Sequence, residues 1–379
     1  MHTKLYPVGD LWTHLTSNVP PIPGRIRQEA ADFRVDEVPA YPPSGTGTHL
    51  FVHFEKVGLT TAEAVRRLAV ALGVPPKAGS WAGLKDRRAV TTQWASFEGA
   101  RAEAAQGVEL DGVRVLAAAP NEHKLRTGHL RANHFRIVVR DVPAERLGDL
   151  ETARTHLSRE GVPNYYEAQR FGRDGGNLKR ALRWLVEGGR PPRDRAKRKW
   201  DVSVVQSWLF NRVLAERITD GLLGRAVAGD LMRKEETGGL FVCDDVVTDQ
   251  ARVERWEISP TGPMFGPKMR HPAAEAHERE QTALTRSGLT EDTIRGFGRM
   301  GQGTRRALRV PLAECDVEPT AEGVALTFTL PTGAYATAVL GELFKEGLTR
   351  DPPPQETPGG GNRAGQPGVG PADDLDPSA

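Results

Sequence analysis

The chain has 379 residues, of which 38% are hydrophobic and 26% charged, and its formal net charge is +2 at pH 7. This length and apolar content suffice for a large buried core and about two domains. With only Cys243 and Cys315, a disulfide scaffold and a zinc site of the CxxC type are excluded, and a reducing cytoplasm fits. No run of 18 or more apolar residues occurs and the first residues lack the apolar core of a signal peptide, so we expect no membrane association.

The charge is distributed unevenly along the chain. Residues 351–379 carry five acidic residues and one arginine, a net of −4, so residues 1–350 carry +6. The same segment holds seven prolines and six glycines with almost no large apolar residue. Because burial cannot offset the entropy of ordering it, we predict a disordered tail at 351–379. Residues 1–20 show no clear period and predict a loosely attached arm.

The first third of the chain predicts strands and one clear helix. Apolar and charged residues alternate over 32–38 with the strand period of two, and spacing alone makes Phe33 an ordinary core residue. The β-branched and aromatic content of 50–54 predicts a second strand. From Thr60, a capping box precedes an apolar stripe at helical spacing that ends at Gly73, so a helix is predicted there.

Two histidines, His49 and His53, would share one face of the second strand, as some metal ligands do. With no third ligand nearby, we prefer a half-buried structural pair and expect no metal. Nothing in the sequence matches a Walker A loop or a Rossmann fingerprint.

The segment 82–94 places one carboxylate, Asp86, among Lys85 and two arginines, and both of its flanks predict strands. Asp86 could satisfy backbone donors in a turn while the cations face water. Alternatively, Asp86 is held ionised for chemistry while the remaining cations face a polyanion. Because neighbours in an extended chain point to opposite faces, the charge partner of Asp86 should come from elsewhere, and Arg27 is a candidate.

Residues 164–200 combine aromatic side chains with many cations. Six cations occur within the ten residues 190–199, and arginines interleave with aromatics before them. Cations contact phosphates and planar groups stack on bases, so this composition suits an RNA surface, although a solvated charge run is the alternative. The residues that we assign to RNA binding on this basis are Arg170, Arg195, Lys197 and Arg198.

The remaining predicted elements complete an α+β layout. A helix with Trp208 on its apolar stripe is predicted after residue 200, and 135–140 and 241–243 resemble strands. The chain then predicts a strand at 324–330 and a helix at 335–345. Strands with interspersed helices indicate the α+β class, and we find no repeat of fixed period.

Six segments form a series that spans residues 24–345. They are Asp32–Glu37, Ala82–Thr91, Asn133–Phe135, Pro163–Tyr166 with Gln169–Gly172, Ser207–Asn211 and Leu330–Thr337. In this order they resemble the successive motifs of the TruD family of tRNA pseudouridine synthases. The motif around Asp86, together with Asn-Tyr-Tyr and Gln-Arg-Phe-Gly, is specific, unlike a short glycine pattern.

The resemblance implies a fold that spacing does not show. It implies a pseudouridine-synthase catalytic domain, built on a mixed β-sheet flanked by helices and interrupted by an inserted α/β TRUD domain. The catalytic domain would occupy 20–157 and 314–350, and the insertion 158–313. The RNA cleft would lie between the two domains, and no cofactor or metal is implied.

The resemblance also implies roles for individual residues. Isomerising uridine means breaking the N1–C1′ bond, turning the uracil, joining C5 to C1′ and removing the C5 proton. One ionised carboxylate can do the covalent part, by attack on C1′ or by addition to uracil C6, and the sequence does not choose between these. By the motif match Asp86 is the nucleophile and Arg27 its basic partner, which is usually lysine. The implied pocket lining is Phe33, Asn133, Phe135 and Tyr335, and Lys85, beside Asp86, is left free to bind RNA.

Four positions depart from the family pattern. Ala30 and Ala31 stand where Pro-Glu is usual, and Tyr335 stands where phenylalanine is common, which adds a hydroxyl that needs a partner. Glu167 replaces the glycine that usually follows Asn-Tyr-Tyr, so we expect the local turn to differ. None of these changes removes the nucleophile.

The sequence therefore predicts a tRNA pseudouridine synthase acting on the D-arm uridine at position thirteen, with tRNA as its partner. We expect a cytoplasmic monomer that needs no cofactor. A non-catalytic RNA-binding or RNA-folding protein on the same scaffold is the alternative from another class, and a hydrolase releasing uracil is a third. Asp86 favours an enzyme, because a binding module gains nothing from an anion facing phosphates.

Overall fold

The computed structural model describes residues 12–350, so the predicted disordered tail at 351–379 lies outside the described residues. Within them the chain forms two compact units. The first, which we call the sheet unit, contains Pro21–Leu150, Ala313–Gly333 and the described residues from Glu346 onward. The second, the helical unit, contains Glu151–Leu312, Ala334–Lys345 and the described residues up to Pro20. Residues 334–345 thus cluster with the helical unit, whereas the sequence analysis assigned them to the catalytic domain.

The regular elements alternate between strands and helices along the chain. Among residues 12–350 the strands are β1 (Gly24–Ile26), β2 (Phe33–Pro39), β3 (His49–Val57), β4 (Gly79–Trp81), β5 (Val90–Glu98), β6 (Val113–Asn121), β7 (Leu130–Arg140), β8 (Val162–Pro163), β9 (Leu231–Lys234), β10 (Leu240–Val242), β11 (Ile258–Met264), β12 (Thr304–Ala307), β13 (Arg309–Val310), β14 (Ala313–Thr320), β15 (Gly323–Pro331) and β16 (Leu348–Arg350). The helices are α1 (Thr61–Ala71), α2 (Ala102–Ala105), α3 (Leu147–Glu160), α4 (Gly176–Leu185), α5 (Arg195–Thr219), α6 (Val246–Glu254), α7 (Ala274–Arg286), α8 (Glu291–Gly296) and α9 (Ala336–Phe344).

The sheet unit is built on one mixed sheet of ten strands. Its main order is β14-β15-β7-β2-β5-β3-β6, with β4 beside β5 and with β1 beside β7 and β16. Strands β2 and β5 are parallel, whereas β7 pairs antiparallel with both β2 and β15. Helix α1 covers one face, where its apolar side chains pack against those of β3 and β5. Strands β2 and β5 are therefore central strands, each fixed by neighbours on both sides.

Helix α1 begins and ends where its capping signals predict. The Thr60 hydroxyl accepts a hydrogen bond from the Glu63 amide at 3.2 Å, which satisfies one of the free donors of the first turn. Gly73 follows the last turn with a φ of 72°, a conformation that glycine adopts without steric cost. Local sequence therefore sets both ends of this helix.

The helical unit is organised around the long helix α5. Its middle turns, including Trp208 and Phe210, are fully buried in the core of the unit. Strands β9 to β12 form an antiparallel sheet in the order β10-β9-β11-β12, and β11 and α7 pack against α5. None of the helices within residues 12–350 is long and apolar enough to cross a bilayer.

Residues 12–20 are not the loose arm that the sequence predicted. The amides of Leu15 and Thr16 donate to the Glu342 carboxylate at 3.1 and 3.0 Å, and the Thr16 hydroxyl donates to the Glu342 main-chain carbonyl at 2.6 Å. Thr16 and Glu342 are both buried. The prediction was wrong here because individual hydrogen bonds anchor the segment, to Glu342 and from the Tyr165 hydroxyl to the Thr13 carbonyl, and a search for periodic apolar residues does not detect them.

The buried ion pair between Arg217 and Asp230 provides a test of the helical unit. The guanidinium is bidentate to the carboxylate at 2.7 and 2.8 Å, and the side chains are 6% and 3% exposed. Arg217→Met leaves a buried carboxylate without its cation, so we expect the free energy of unfolding to fall by about 3–5 kcal/mol. Arg279→Met, which breaks an exposed pair with Asp220, should cost less than about 1 kcal/mol. Urea denaturation of both variants measures the difference, and equal losses would contradict the prediction.

Candidate active site

The loop of residues 82–89 joins β4 to β5 and carries Asp86, and we call it the Asp86 loop. The Lys85 amide donates to the Thr61 hydroxyl at 2.9 Å, and the Asp86 carbonyl accepts from the Lys56 ammonium at 2.8 Å. The side chain of Asp86 is nevertheless 51% exposed. The loop thus presents its carboxylate to solvent from a main chain that buried side chains hold in place.

Arg27, which the sequence analysis named as the charge partner, contacts Asp86. Its Nη2 lies 2.5 Å from Oδ2 of the carboxylate. Arg27 lies between β1 and β2 with a φ of 58°, a left-handed conformation that costs a non-glycine residue about 1–2 kcal/mol. Its guanidinium also lies over the Phe33 ring, 4.2 Å from the centroid. Electrostatics and stacking together hold the cation at the carboxylate.

Three phenylalanines form an apolar wall in the sheet unit. Phe33 is 3% exposed and meets Phe135 edge to face at 6.4 Å between ring centroids. Phe135 stacks on Phe328 at 5.3 Å. Phe135 is the Cα partner of both Val35 and Phe328, and cross-strand partners point to one face, so the register of β2, β7 and β15 places these rings together. Sequence reasoning named the first two and missed Phe328.

Asn133 shares that face, two residues before Phe135 on β7. Its Oδ1 is buried with no hydrogen-bond partner among the described residues, as are Gln93 Nε2 and Thr91 Oγ1 on β5. Gln93 is linked to the Asp86 loop, because its Oε1 accepts from the Thr61 hydroxyl at 3.0 Å. Buried polar atoms without partners are costly, so they are candidates for contact with a bound ligand.

The structure places Lys85 differently from the prediction that it faces RNA. Its ammonium lies 2.7 Å from Glu37 Oε2, and the two side chains are only 5% and 1% exposed. The other oxygen of Glu37 accepts from the Trp94 amide at 3.2 Å. Lys85 therefore fastens the Asp86 loop to β2 instead of presenting a charge to solvent. The sequence did not reveal this role, because the partner of Lys85 is Glu37, 48 residues upstream, and not one of its neighbours in the chain.

Lys56, on β3, was missed by sequence reasoning. It is fully buried, and its ammonium donates to the main-chain carbonyl of Asp86. Burial lowers the pKa of Lys56 to about 8; the charge of Asp86 raises it and that of Lys85 lowers it further. The sequence did contain a clue: Lys56 lies two residues after Phe54 and so shares its buried face of the strand.

The residues assigned to RNA binding lie in the helical unit. Arg170 is 8% exposed, and its guanidinium lies 4.8 Å from the Tyr166 ring centroid and 5.1 Å from that of Trp200. The guanidinium makes no hydrogen bond or ion pair with any residue in the part of the chain that the structure describes, and its Nε is buried. The other three assigned residues lie in the first turn of α5, where two are exposed and the third is half-buried: Arg195, Lys197 and Arg198.

Tyr335 is the remaining predicted residue. It immediately precedes α9, is half-buried, and packs against the core of the helical unit. The structure thus groups it with Arg170 in one compact unit, and groups Phe33, Asn133 and Phe135 with Asp86 in the other.

Glu167 does not need the conformational freedom of the glycine that it replaces. Its backbone is extended, with φ −65° and ψ 152°, which any residue adopts. Its carboxylate accepts hydrogen bonds from the side chains of Thr337 and Gln169. Glycine is required instead at Gly172, where φ is 80° and an added Cβ would lie 2.8 Å from the Asn177 amide nitrogen.

Known proteins resemble this chain over most of its length. The family model described as tRNA pseudouridine synthase D (TruD) matches residues 12–189 and 198–343. The chain belongs to the TruD family. A tRNA pseudouridine synthase D of Anaeromyxobacter dehalogenans is 49% identical over 340 residues, covering 87% of this chain and 95% of the relative. A tRNA pseudouridine synthase D of Thermus thermophilus is 42% identical over 350 residues, covering 91% and 96%.

A solved structure shares the fold of this TruD chain. The putative tRNA pseudouridine synthase D from Methanosarcina mazei matches with a TM-score of 0.72 at 24% identity, over 88% of this chain and 96% of the other. The resemblance and the α+β fold class predicted from the sequence are thereby confirmed. Family membership makes the chain an isomerase that converts uridine to pseudouridine.

The placement of Lys85 gives a testable difference between a structural and an RNA-binding cation. Lys85→Met leaves Glu37 buried without its cation, so we expect the free energy of unfolding to fall by about 3–5 kcal/mol. The slope of log tRNA affinity against log salt concentration should stay unchanged, since no phosphate contact is lost. Exposed Arg88→Met, in the same loop, should change stability by less than about 0.5 kcal/mol. A stable Lys85→Met protein with a reduced salt slope would support the original prediction instead.

Proposed function

We propose that this TruD enzyme isomerises the uridine at position thirteen in the D arm of tRNA, with Asp86 as nucleophile and Arg27 as its basic partner. The relatives are named as tRNA pseudouridine synthases, which supports tRNA as the substrate. One observation carries the catalytic assignment: a half-exposed carboxylate, paired with a single guanidinium, stands on a loop that buried groups hold in place.

The geometry assigns different tasks to the two carboxylate oxygens. Arg27 binds Oδ2, so Oδ1 has no partner among the described residues and can attack an electrophilic carbon. In attack on C1′ the N1–C1′ bond breaks and its electron pair stays on the uracil; addition to uracil C6 is the other route. After the uracil turns, C5 joins C1′, Asp86 is released, C5 loses its proton and N1 gains one. The atoms balance within the substrate, so the reaction needs no cofactor.

The sheet unit carries side chains suited to bind an unstacked base. A uridine within an RNA stem must leave its stack to be reached, and the enzyme must then supply planar apolar contacts and hydrogen bonds. Phe33 and Phe135 supply the apolar wall. The unpaired Oδ1 of Asn133 is suited to accept a hydrogen bond from a uracil N–H. Tyr335 is assigned to the substrate by the family motif alone.

The helical unit supplies cations for the phosphate backbone. Arg170 is a nearly buried cation whose guanidinium lies against two aromatic rings, and burial of a charge without a counter-ion is unfavourable. A phosphate oxygen would complete its donors, and the flat guanidinium is already oriented by stacking. Exposed Arg195 and Lys197, with neighbouring Arg198, add the less specific attraction of a basic helix start. We expect the enzyme to act as a cytoplasmic monomer.

Asp86→Asn tests the nucleophile because it keeps the shape of the side chain and removes its charge. We expect pseudouridine formation to fall by about 10⁴-fold or more, with tRNA affinity unchanged or higher since an anion near phosphates is lost. Mapping pseudouridines in tRNA treated with each protein measures the activity and the modified position. Substantial turnover by the variant would exclude Asp86 as the nucleophile, and an inactive wild type that binds tRNA would favour the non-catalytic alternative.

Arg170→Met tests the phosphate contact in the helical unit. Loss of one contact should lower the slope of log affinity against log salt by about 0.7 to 0.9, whereas Arg170→Lys, which keeps the charge, should retain most of it. Arg279→Met serves as a matched control, because that guanidinium is already paired with Asp220. Filter binding over a salt series gives the slopes. A lower melting temperature with an unchanged slope would make Arg170 a structural residue.

A further inference from the structure

Lys56 makes an unusual contact for a buried lysine. It is fully buried on β3, and its one side-chain hydrogen bond within residues 12–350 joins its ammonium to the main-chain carbonyl of Asp86 at 2.8 Å. No carboxylate of the described residues lies within ion-pair distance of it. Lysine is almost never fully buried without a paired charge. The fold therefore retains a buried cation at one specific point of the Asp86 loop.

The residues facing Lys56 are neutral except for two residues of the Asp86 loop. Its Cα partners are Thr91 on β5 and Val113 on β6, both neutral. Helix α1 contributes the neutral Thr61 to the same loop. The charged groups that face Lys56 are Asp86 and Lys85. Arg27 neutralises the first and Glu37 the second through direct ion pairs.

The contact constrains the nucleophile where Arg27 does not. Arg27 contacts the carboxylate, whereas the fully buried Lys56 holds the main chain of the same residue. Fixing both ends of a short side chain leaves it little freedom. A displacement of about 1 Å of a reacting group can reduce a rate about 100-fold.

We propose that Lys56 is a positioning residue for Asp86: its buried, charged ammonium fixes the main chain of the nucleophile and places a second positive charge beside it. This inference rests on the proposed role of Asp86. It assigns Lys56 no contact with the RNA, because its ammonium is enclosed beneath the loop. The role depends on the protonated form, which alone carries the charge.

The pH dependence of turnover distinguishes this role from simple packing. The pKa of Lys56 is lowered to about 8, so the charge is present below that pH and lost above it. Wild-type kcat should therefore fall as the pH rises through about 8. Lys56→Met, of similar volume but uncharged, should lower kcat by about 100-fold, leave KM for tRNA within about twofold, and lack the alkaline decline. The imide of uridine also titrates in alkali, so the variant is needed to assign the decline.

A second variant and an NMR titration complete the test. Lys56→Arg keeps a charge at all accessible pH values, so it should restore part of kcat and remove the decline near pH 8. If Lys56→Met does not fold, the ¹⁵N signal of the Lys56 ammonium can be titrated in wild type and in Asp86→Asn. Because the Asp86 charge raises the pKa of Lys56, the pKa should be lower in Asp86→Asn.

The inference is overturned by a Lys56→Met enzyme with wild-type kcat, by an alkaline decline that persists in that variant, or by a Lys56 pKa that is the same with and without the Asp86 charge. These outcomes are separate from the test of the nucleophile. If Asp86→Asn is inactive and Lys56→Met is fully active, the proposed function stands and only the positioning role fails.

Discussion

The ion pair between Arg27 and Asp86 is the contact on which the candidate site depends. It joins two residues 59 positions apart, and the segment around each also makes contacts of its own. Arg27 stacks on Phe33 at the start of β2, while the Asp86 loop is fastened to β3, α1 and β2. The pair therefore has to order only the Asp86 carboxylate, because the main chain of Asp86 and the Arg27 guanidinium are held by other contacts. The pair can therefore be exposed enough for substrate to reach it and still be well defined.

Three of the cations around Asp86 lie in distinct environments. Lys85 is buried against a carboxylate, Lys56 is buried against a carbonyl, and Arg27 contacts the half-exposed Asp86. The charge of Lys85 is neutralised by its carboxylate partner, so this lysine serves to hold the loop. The charge of Lys56 has no carboxylate partner among the described residues and can influence Asp86. Environment, more than residue type, separates their roles.

Local sequence was sufficient for the elements whose signals are local. The caps at Thr60 and Gly73 predict α1, and alternation predicts β2 and β15 within one or two residues. The pairing of Arg27 with Asp86 followed from a motif and from strand geometry. Lys56 and Lys85 could not be assigned, because their partners depend on which strands of the sheet are neighbours. That order is a property of the whole fold, and so is the anchoring of Thr16 by Glu342.

At position 27, low backbone strain and a cation beside Asp86 favour different residues. Glycine would adopt a φ of 58° without steric cost, and its introduction at such sites ordinarily relieves strain. It would also remove the cation that meets Asp86. A search for more stable sequences on this backbone would therefore tend to replace the residue that we propose as the basic partner of the nucleophile. Arg27 should therefore be kept when this enzyme is engineered for thermal stability, even where glycine at position 27 would lower the folding free energy.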